Sequence, residues 1–150
     1  MPADRPPVFY LDSSSMLKLL WREPESEATR NVVASEDAVI VSALVELEVE
    51  VQLKAAWLAG RYREAQWRRF RAKLAEFRGL EPFRFHTLPG SLFETALRQH
   101  ASAGRTHCRT LDRLHLAAIA ELSLYRLMTH DALQAQAARV LGFEVLTPGR

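Results

Sequence analysis

Val8-Phe9-Tyr10-Leu11-Asp12-Ser13-Ser14-Ser15 reads as a short strand that ends in an acid and passes directly into a helix. Four consecutive apolar residues with no polar alternation suit a strand covered on both faces, as in parallel sheets. The pattern returns near the other end of the chain, where Arg126–Thr129 precedes His130-Asp131 and an Ala-rich helical stretch. Helices follow the first strand, from Ser14 to about Leu20 and again after Pro24. Ala38–Val41 is a second, β-branched strand, after which Ser42 caps a helix running to about Ala59 and stopped by Gly60. A helix from about Tyr62 to Arg78 leads through Pro82 into a strand at Phe83–Thr87. Ser91-Leu92-Phe93-Glu94 has the capping-box form and opens a helix ending near Gly104. Thr110 caps a helix through about Leu124, and Ala132–Leu141 stops at Gly142 before a last strand, Phe143–Leu146.

Strands separated by helices imply parallel pairing, right-handed crossovers and helices on both faces of the sheet. The expectation is one domain over residues 1–150, an α/β fold of three layers (α/β/α) around a parallel five-stranded sheet. Ligands of such sheets bind at the carboxyl ends of the strands. Asp12 and Asp131 both stand there.

Two further acids are out of place. On the helix after Ser42, Leu44, Leu47, Val51, Ala55 and Leu58 fall on one stripe at 100° per residue, and Glu48 falls inside it. Glu46 and Glu50 point elsewhere and read as surface charges. Val45, Val49, Leu53 and Trp57 also need cover, so this helix is buried on more than one face or packs against another subunit. Asp112 lies in the first turn after Thr110, where a negative charge also suits the helix dipole. Each acid has an ordinary explanation: Asp12 and Asp131 can cap the helices that follow them. Together they make an unusual set, because clustered carboxylates repel and cannot all ionise without a cation. The set is all oxygen, with no Cys or His pair at zinc spacing, so Mg²⁺ or Mn²⁺ suits it best. Thr129 alternates with Asp131 and can reach the same side.

Composition sets wider bounds. The apolar fraction of 48% and charged fraction of 25% are those of a globular protein long enough for one core. The single cysteine, Cys108, excludes an intrachain disulfide and suits a reducing, cytoplasmic compartment. Met1 to Pro7 is polar and Pro-rich and does not read as a signal peptide. No run of about 18 apolar residues is present, so no membrane association is expected. The net charge of +2 is small but uneven. Glu23 to Glu50 carries eight acids against Arg30, and Arg61 to Arg78 carries seven bases against Glu64 and Glu76. A basic face beside an acidic site would draw in a phosphodiester substrate; a solvated helix face is the plainer reading.

Tyr10-Leu11-Asp12-Ser13-Ser14, Ser42-Ala43-Leu44-Val45-Glu46-Leu47-Glu48, Thr110-Leu111-Asp112-Arg113-Leu114-His115-Leu116-Ala117 and Met128-Thr129-His130-Asp131 resemble, in order and spacing, the successive motifs of PIN-domain ribonucleases. The resemblance is closest to the VapC-type toxins of toxin–antitoxin pairs, and it extends to the final helix and strand, Ala137 to Pro148. It implies metal-dependent cleavage of RNA, a homodimer, and a small antitoxin partner that blocks the site. By motif, Asp12, Glu48, Asp112 and Asp131 match the family's four acids, and Ser14 matches a hydroxyl position near the metal. Asp12 and Asp112 are the expected direct ligands, with Glu48 and Asp131 completing the site. Arg109 and Arg113 flank Asp112 and could contact phosphate, although ordinary surface arginines are the commoner case. His115 lies on the stripe of Leu111, Leu114, Ala118 and Leu122 and reads as a packed core residue, Cys108 as structural, and Trp21, Trp57 and Trp67 as packing. A phosphotransfer receiver domain would want paired acids after the first strand and a Lys after the last; neither is present. The remaining alternatives are a PIN-like scaffold that binds RNA or protein without cleaving, and an RNA-processing nuclease outside toxin–antitoxin systems.

Overall fold

The computed structural model describes residues 8–150, so the reading of Met1 to Pro7 lies outside the described residues. In chain order the elements are β1 (Val8–Leu11), α1 (Ser13–Leu20), α2 (Ser26–Ala34), β2 (Ala38–Ser42), α3 (Ala43–Leu58) and α4 (Glu64–Glu76). A single 3-10 turn, Phe77–Gly79, precedes β3 (Phe83–His86), which is followed by α5 (Leu92–Ser102) and α6 (Thr110–Glu121). β4 (Arg126–Met128), α7 (Ala132–Val140) and β5 (Glu144–Leu146) complete the chain.

The five strands form one parallel sheet in the order β3-β2-β1-β4-β5. The opening apolar run is its central strand. Tyr10 pairs with Ile40 on one side and Leu127 on the other, and Phe9, Tyr10 and Leu11 are all fully buried. Since successive side chains of a strand face opposite ways, both faces of β1 are covered. The strand order reverses between β1 and β4, which leaves a crevice at their carboxyl ends, and Asp12 extends the pairing there by donating its N–H to the Met128 carbonyl at 3.0 Å. Gly60 and Gly142 close α3 and α7 in the left-handed region, at φ +80° and +84°, where glycine carries no side-chain penalty.

Three local expectations change. Ser91 makes no capping bond to α5; its hydroxyl donates to Glu121 at 2.9 Å. Thr110 is the first residue of α6 and Arg109 occupies the cap position, with no side-chain capping bond. The buried face of α3 is Val45, Val49 and Leu53, whereas Leu47, Val51 and Leu58 of the expected stripe face solvent. Ser42 does cap α3, accepting from the Val45 N–H at 3.2 Å. Among the described residues no helix is long and apolar enough to cross a membrane.

The uneven charge along the chain resolves into a hairpin. Arg71 on α4 donates to Glu50 on α3 at 2.8 Å, and Arg78 reaches Glu46. Arg68 pairs with Glu64 within α4. Trp57 and Trp67 stack between α3 and α4 with ring centroids 4.3 Å apart, and Arg61 lies over the Trp21 ring. Much of the basic stretch therefore holds α4 in place.

Candidate active site

Four carboxylates meet in one cleft at the carboxyl edge of the sheet. Asp12, Glu48, Asp112 and Asp131, with Ser13, Ser14, Gln52, Arg109, Thr110 and Leu111, line a cavity of about 650 Å³. The acids come from the end of β1, the second turn of α3, the first turn of α6 and the segment after β4.

Asp12 is buried, and although it holds the cap position of α1 its side chain makes no capping bond. Its Oδ2 accepts from the Thr129 hydroxyl at 2.6 Å and the Ser14 hydroxyl at 3.0 Å. Both hydroxyls are themselves fixed by accepting backbone N–H groups: Ser14 from His130 at 2.9 Å, and Thr129 from Asp131 at 3.1 Å. Burial pushes the Asp12 carboxyl above its ordinary pKa, and the charge of His115 and the two hydroxyls only partly offset that. The carboxylate is thus oriented but short of positive charge.

Glu48 lies at the border between the packed and exposed faces of α3 and is hydrogen-bonded to Nε2 of His115. His115 is the site residue that sequence reasoning missed. It is buried, as expected of a core histidine, yet its ring joins the acid cluster, with Nε2 3.9 Å from Asp12 Oδ1. Asp12, Glu48 and His115 each offer a ligand atom, all within 4.8 Å of one another. Nδ1 of His115 is 2.7 Å from the Tyr10 hydroxyl, which is 2.7 Å from the Ser42 hydroxyl. Ser42 also accepts from Val45, so an unbroken chain of hydrogen bonds links Ser42 through Tyr10 and His115 to Glu48. Burial lowers the His115 pKa, but the bond to Glu48 and the charges of Asp12, Glu48 and Asp112 outweigh it, leaving it raised. For Glu48 burial acts upward, and His115, with Ser13 and Arg109 behind it, outweighs that, leaving the carboxyl below its ordinary value. The available signal was spacing: His115 is three residues after Asp112, on the same side of α6.

Asp112 is buried, and Asp131 is partly exposed. Asp131 does cap its helix: Oδ1 accepts from the Leu133 and Gln134 N–H groups at 2.9 and 3.1 Å. Arg109 bridges the two acids, donating through Nε to Asp112 Oδ2 at 2.9 Å and through Nη2 to Asp131 Oδ2 at 3.2 Å. Gln134 secures the backbone below by donating to the Asp112 carbonyl at 3.0 Å.

Of the two arginines read as ordinary surface residues that could contact phosphate, Arg109 lines the cleft and Arg113 does not. Arg113 is buried on the other side of α6, in a groove with Phe93, Leu97 and Cys108. Residues adjacent on a helix point 100° apart, so flanking Asp112 in sequence does not put a side chain beside it.

The donor set fits a divalent cation. Asp12 and Asp112 each keep an oxygen that accepts no hydrogen bond, Glu48 keeps one not taken by His115, and all face a cleft where burial disfavours uncompensated negative charge.

Comparison with known proteins follows the same lines. A family model for the PIN domain matches residues 9–150. The chain is 36% identical over 143 residues to Ribonuclease VapC46 of Mycobacterium tuberculosis, covering 94% of this chain and 98% of that protein. Among solved structures it is similar to VapC20 of Mycobacterium tuberculosis, described as a Sarcin-Ricin loop cleaving toxin, with a TM-score of 0.69 and 17% identity over 93% of this chain and 99% of that one. VapBC2 from Rickettsia felis, bound to a DNA fragment from its promoter, matches with a TM-score of 0.67 and 9% identity over 93% and 97% of the two chains. At those identities the structures speak for the fold.

Proposed function

The chain belongs to the PIN-domain family, and from that premise we propose that it is a metal-dependent endoribonuclease, the toxin of a toxin–antitoxin pair. The observation that carries the reading is the convergence of Asp12, Glu48, Asp112 and Asp131, from four separate elements, on one cleft beside the central strands. All four, with Ser14 and Thr129 in support, are the proposed site residues. RNA as the substrate rests on the ribonuclease relative.

Asp12 and Glu48, whose ligand atoms lie within 4.8 Å of one another and of His115, would hold the cation, Mg²⁺ or Mn²⁺, with Asp112 from the same cleft, and Asp131 would complete the acidic wall. When bound, such an ion lowers the pKa of a water and offsets charge growing on phosphate oxygens. The chain's own contribution is positioning. Thr129 and Ser14 fix the Asp12 carboxylate, and His115, backed by Tyr10 and Ser42, fixes Glu48. Arg109 supplies a guanidinium, whose planar donors suit phosphate oxygens, at the rim of the same cleft.

The proposed partners are an antitoxin that covers the cleft and a second copy of the chain. Leu47, Val51 and Leu58, exposed along the helix that carries Glu48, support a protein contact there. The test is cleavage of a mixed single-stranded RNA, with Mg²⁺, Mn²⁺ or EDTA, by antitoxin-free wild type and Asp12→Asn. Metal-dependent cutting that the variant lacks is the expected result. Folded wild type that neither cuts nor binds Mn²⁺ would leave the non-cleaving scaffold instead.

A further inference from the structure

Arg109 sits where the helix gives it no reason to be. At the cap of α6 a cation faces the positive end of the helix dipole and cannot accept from the free N–H groups, and no side-chain capping bond forms. What holds its side chain is the acid pair, Asp112 and Asp131, which it bridges although it is itself largely exposed. Those two contacts raise the Arg109 pKa, Asp112 foremost.

The oxygens of the cluster divide into two groups. Asp12 and Asp112 each retain one that accepts no hydrogen bond, and Glu48 retains one not taken by His115. Asp131 has no oxygen free of a hydrogen bond, since its Oδ1 serves the N–H groups of α7 and its Oδ2 serves Arg109. The Oδ2 atoms of Asp112 and Asp131 are joined by one guanidinium, so an ion held between these two acids would compete with it. A single divalent ion and one tethered guanidinium offset most of the charge of four carboxylates, and a second divalent ion would have to displace the arginine.

We propose that Arg109 occupies the second cation position of the acid cluster, so that the enzyme takes one divalent ion per chain and uses the guanidinium in place of another. The inference rests on the metal site of the proposed nuclease and adds its stoichiometry. On this account Arg109 keeps Asp112 and Asp131 from repelling each other and presents its remaining donors to the substrate phosphate.

Mn²⁺ titration of the full chain, reading free Mn²⁺ by its paramagnetic resonance signal, tests this on wild type, Arg109→Gln, Arg109→Lys and Asp12→Asn. Arg109 is largely exposed, so its variants are expected to fold. Wild type and Arg109→Lys should bind one ion. Arg109→Gln should bind two, or bind a second at least tenfold more tightly than wild type does. Two ions of comparable affinity on wild type, or identical titrations for wild type and Arg109→Gln, would overturn the inference. If wild type binds one ion that Asp12→Asn loses while Arg109→Gln behaves as wild type, only the role of Arg109 falls. If no form binds Mn²⁺, the metal site falls with it.

Discussion

Glu48 and Glu50 lie two residues apart on α3 and belong to different kinds of structure. Glu50 meets Arg71 across the α3–α4 hairpin, as Glu46 meets Arg78, in solvent-accessible ion pairs. Glu48 turns inward to His115 and shares a cleft with three more carboxylates. In the hairpin, opposite charges meet and the surface is locally balanced. In the cleft, like charges are gathered and partly buried, an arrangement that costs stability in the absence of a cation. A fold that places four acids in this way is shaped by something the acids hold, and that difference separates a site from a surface.

The widest separation should come from neutralising one glutamate in each region. Glu48→Gln is expected to lower RNA cleavage by at least about 10²-fold, the size of loss seen when a group serving the transition state is removed. Glu50→Gln should leave cleavage within about twofold and cost under ~1 kcal/mol of stability, since exposed pairs contribute little. Equal effects of the two substitutions on cleavage would erase the distinction. His115→Leu sharpens it further. Its ring reaches Glu48 from one side and Tyr10 from the other, so the variant should bind Mn²⁺ about 10–100-fold more weakly, the range for residues that orient ligands. His115→Gln, whose amide can still donate from near the Nε2 position, should recover part of that. Unchanged affinity in both would return His115 to the role of core packing.

The hairpin and the cleft also differ in how far the sequence revealed them. The strands were legible because apolar runs such as Val8–Leu11 end sharply in polar residues, and the helix ends because Gly60 and Gly142 mark them. Asp12 and Asp131 stood out by ending apolar runs. The orientation of α3 was not legible, because apolar residues surround it; Val45, Val49 and Leu53 won burial over Leu47, Val51 and Leu58 through contacts with other elements. Ser91 kept the form of a cap but was drawn to Glu121, thirty residues on. His115 was hidden for a similar reason. Its apolar neighbours on α6 describe a core position correctly, and its function lies in bonds to Tyr10 and Glu48, which are 105 and 67 residues away. Arg113 shows the converse, a charged residue beside Asp112 in sequence whose side chain packs into another groove.

The central claim is that the cleft's carboxylates are arranged for a divalent cation, and thermal melting of wild type and Asp12→Asn, in EDTA and then in Mn²⁺, tests it directly. Burial raises the Asp12 pKa above its unfolded value. Its favourable contribution is therefore present below that unfolded value and lost as pH rises through the folded one, so above the unfolded value the group costs stability. Asp12→Asn should melt above wild type in EDTA, by about 2–4 °C for each kcal/mol relieved. Mn²⁺ at about 100 times its Kd should stabilise wild type by roughly 2.7 kcal/mol and the variant far less. A wild type whose melting ignores Mn²⁺, with Asp12→Asn melting at or below it in EDTA, would contradict the account.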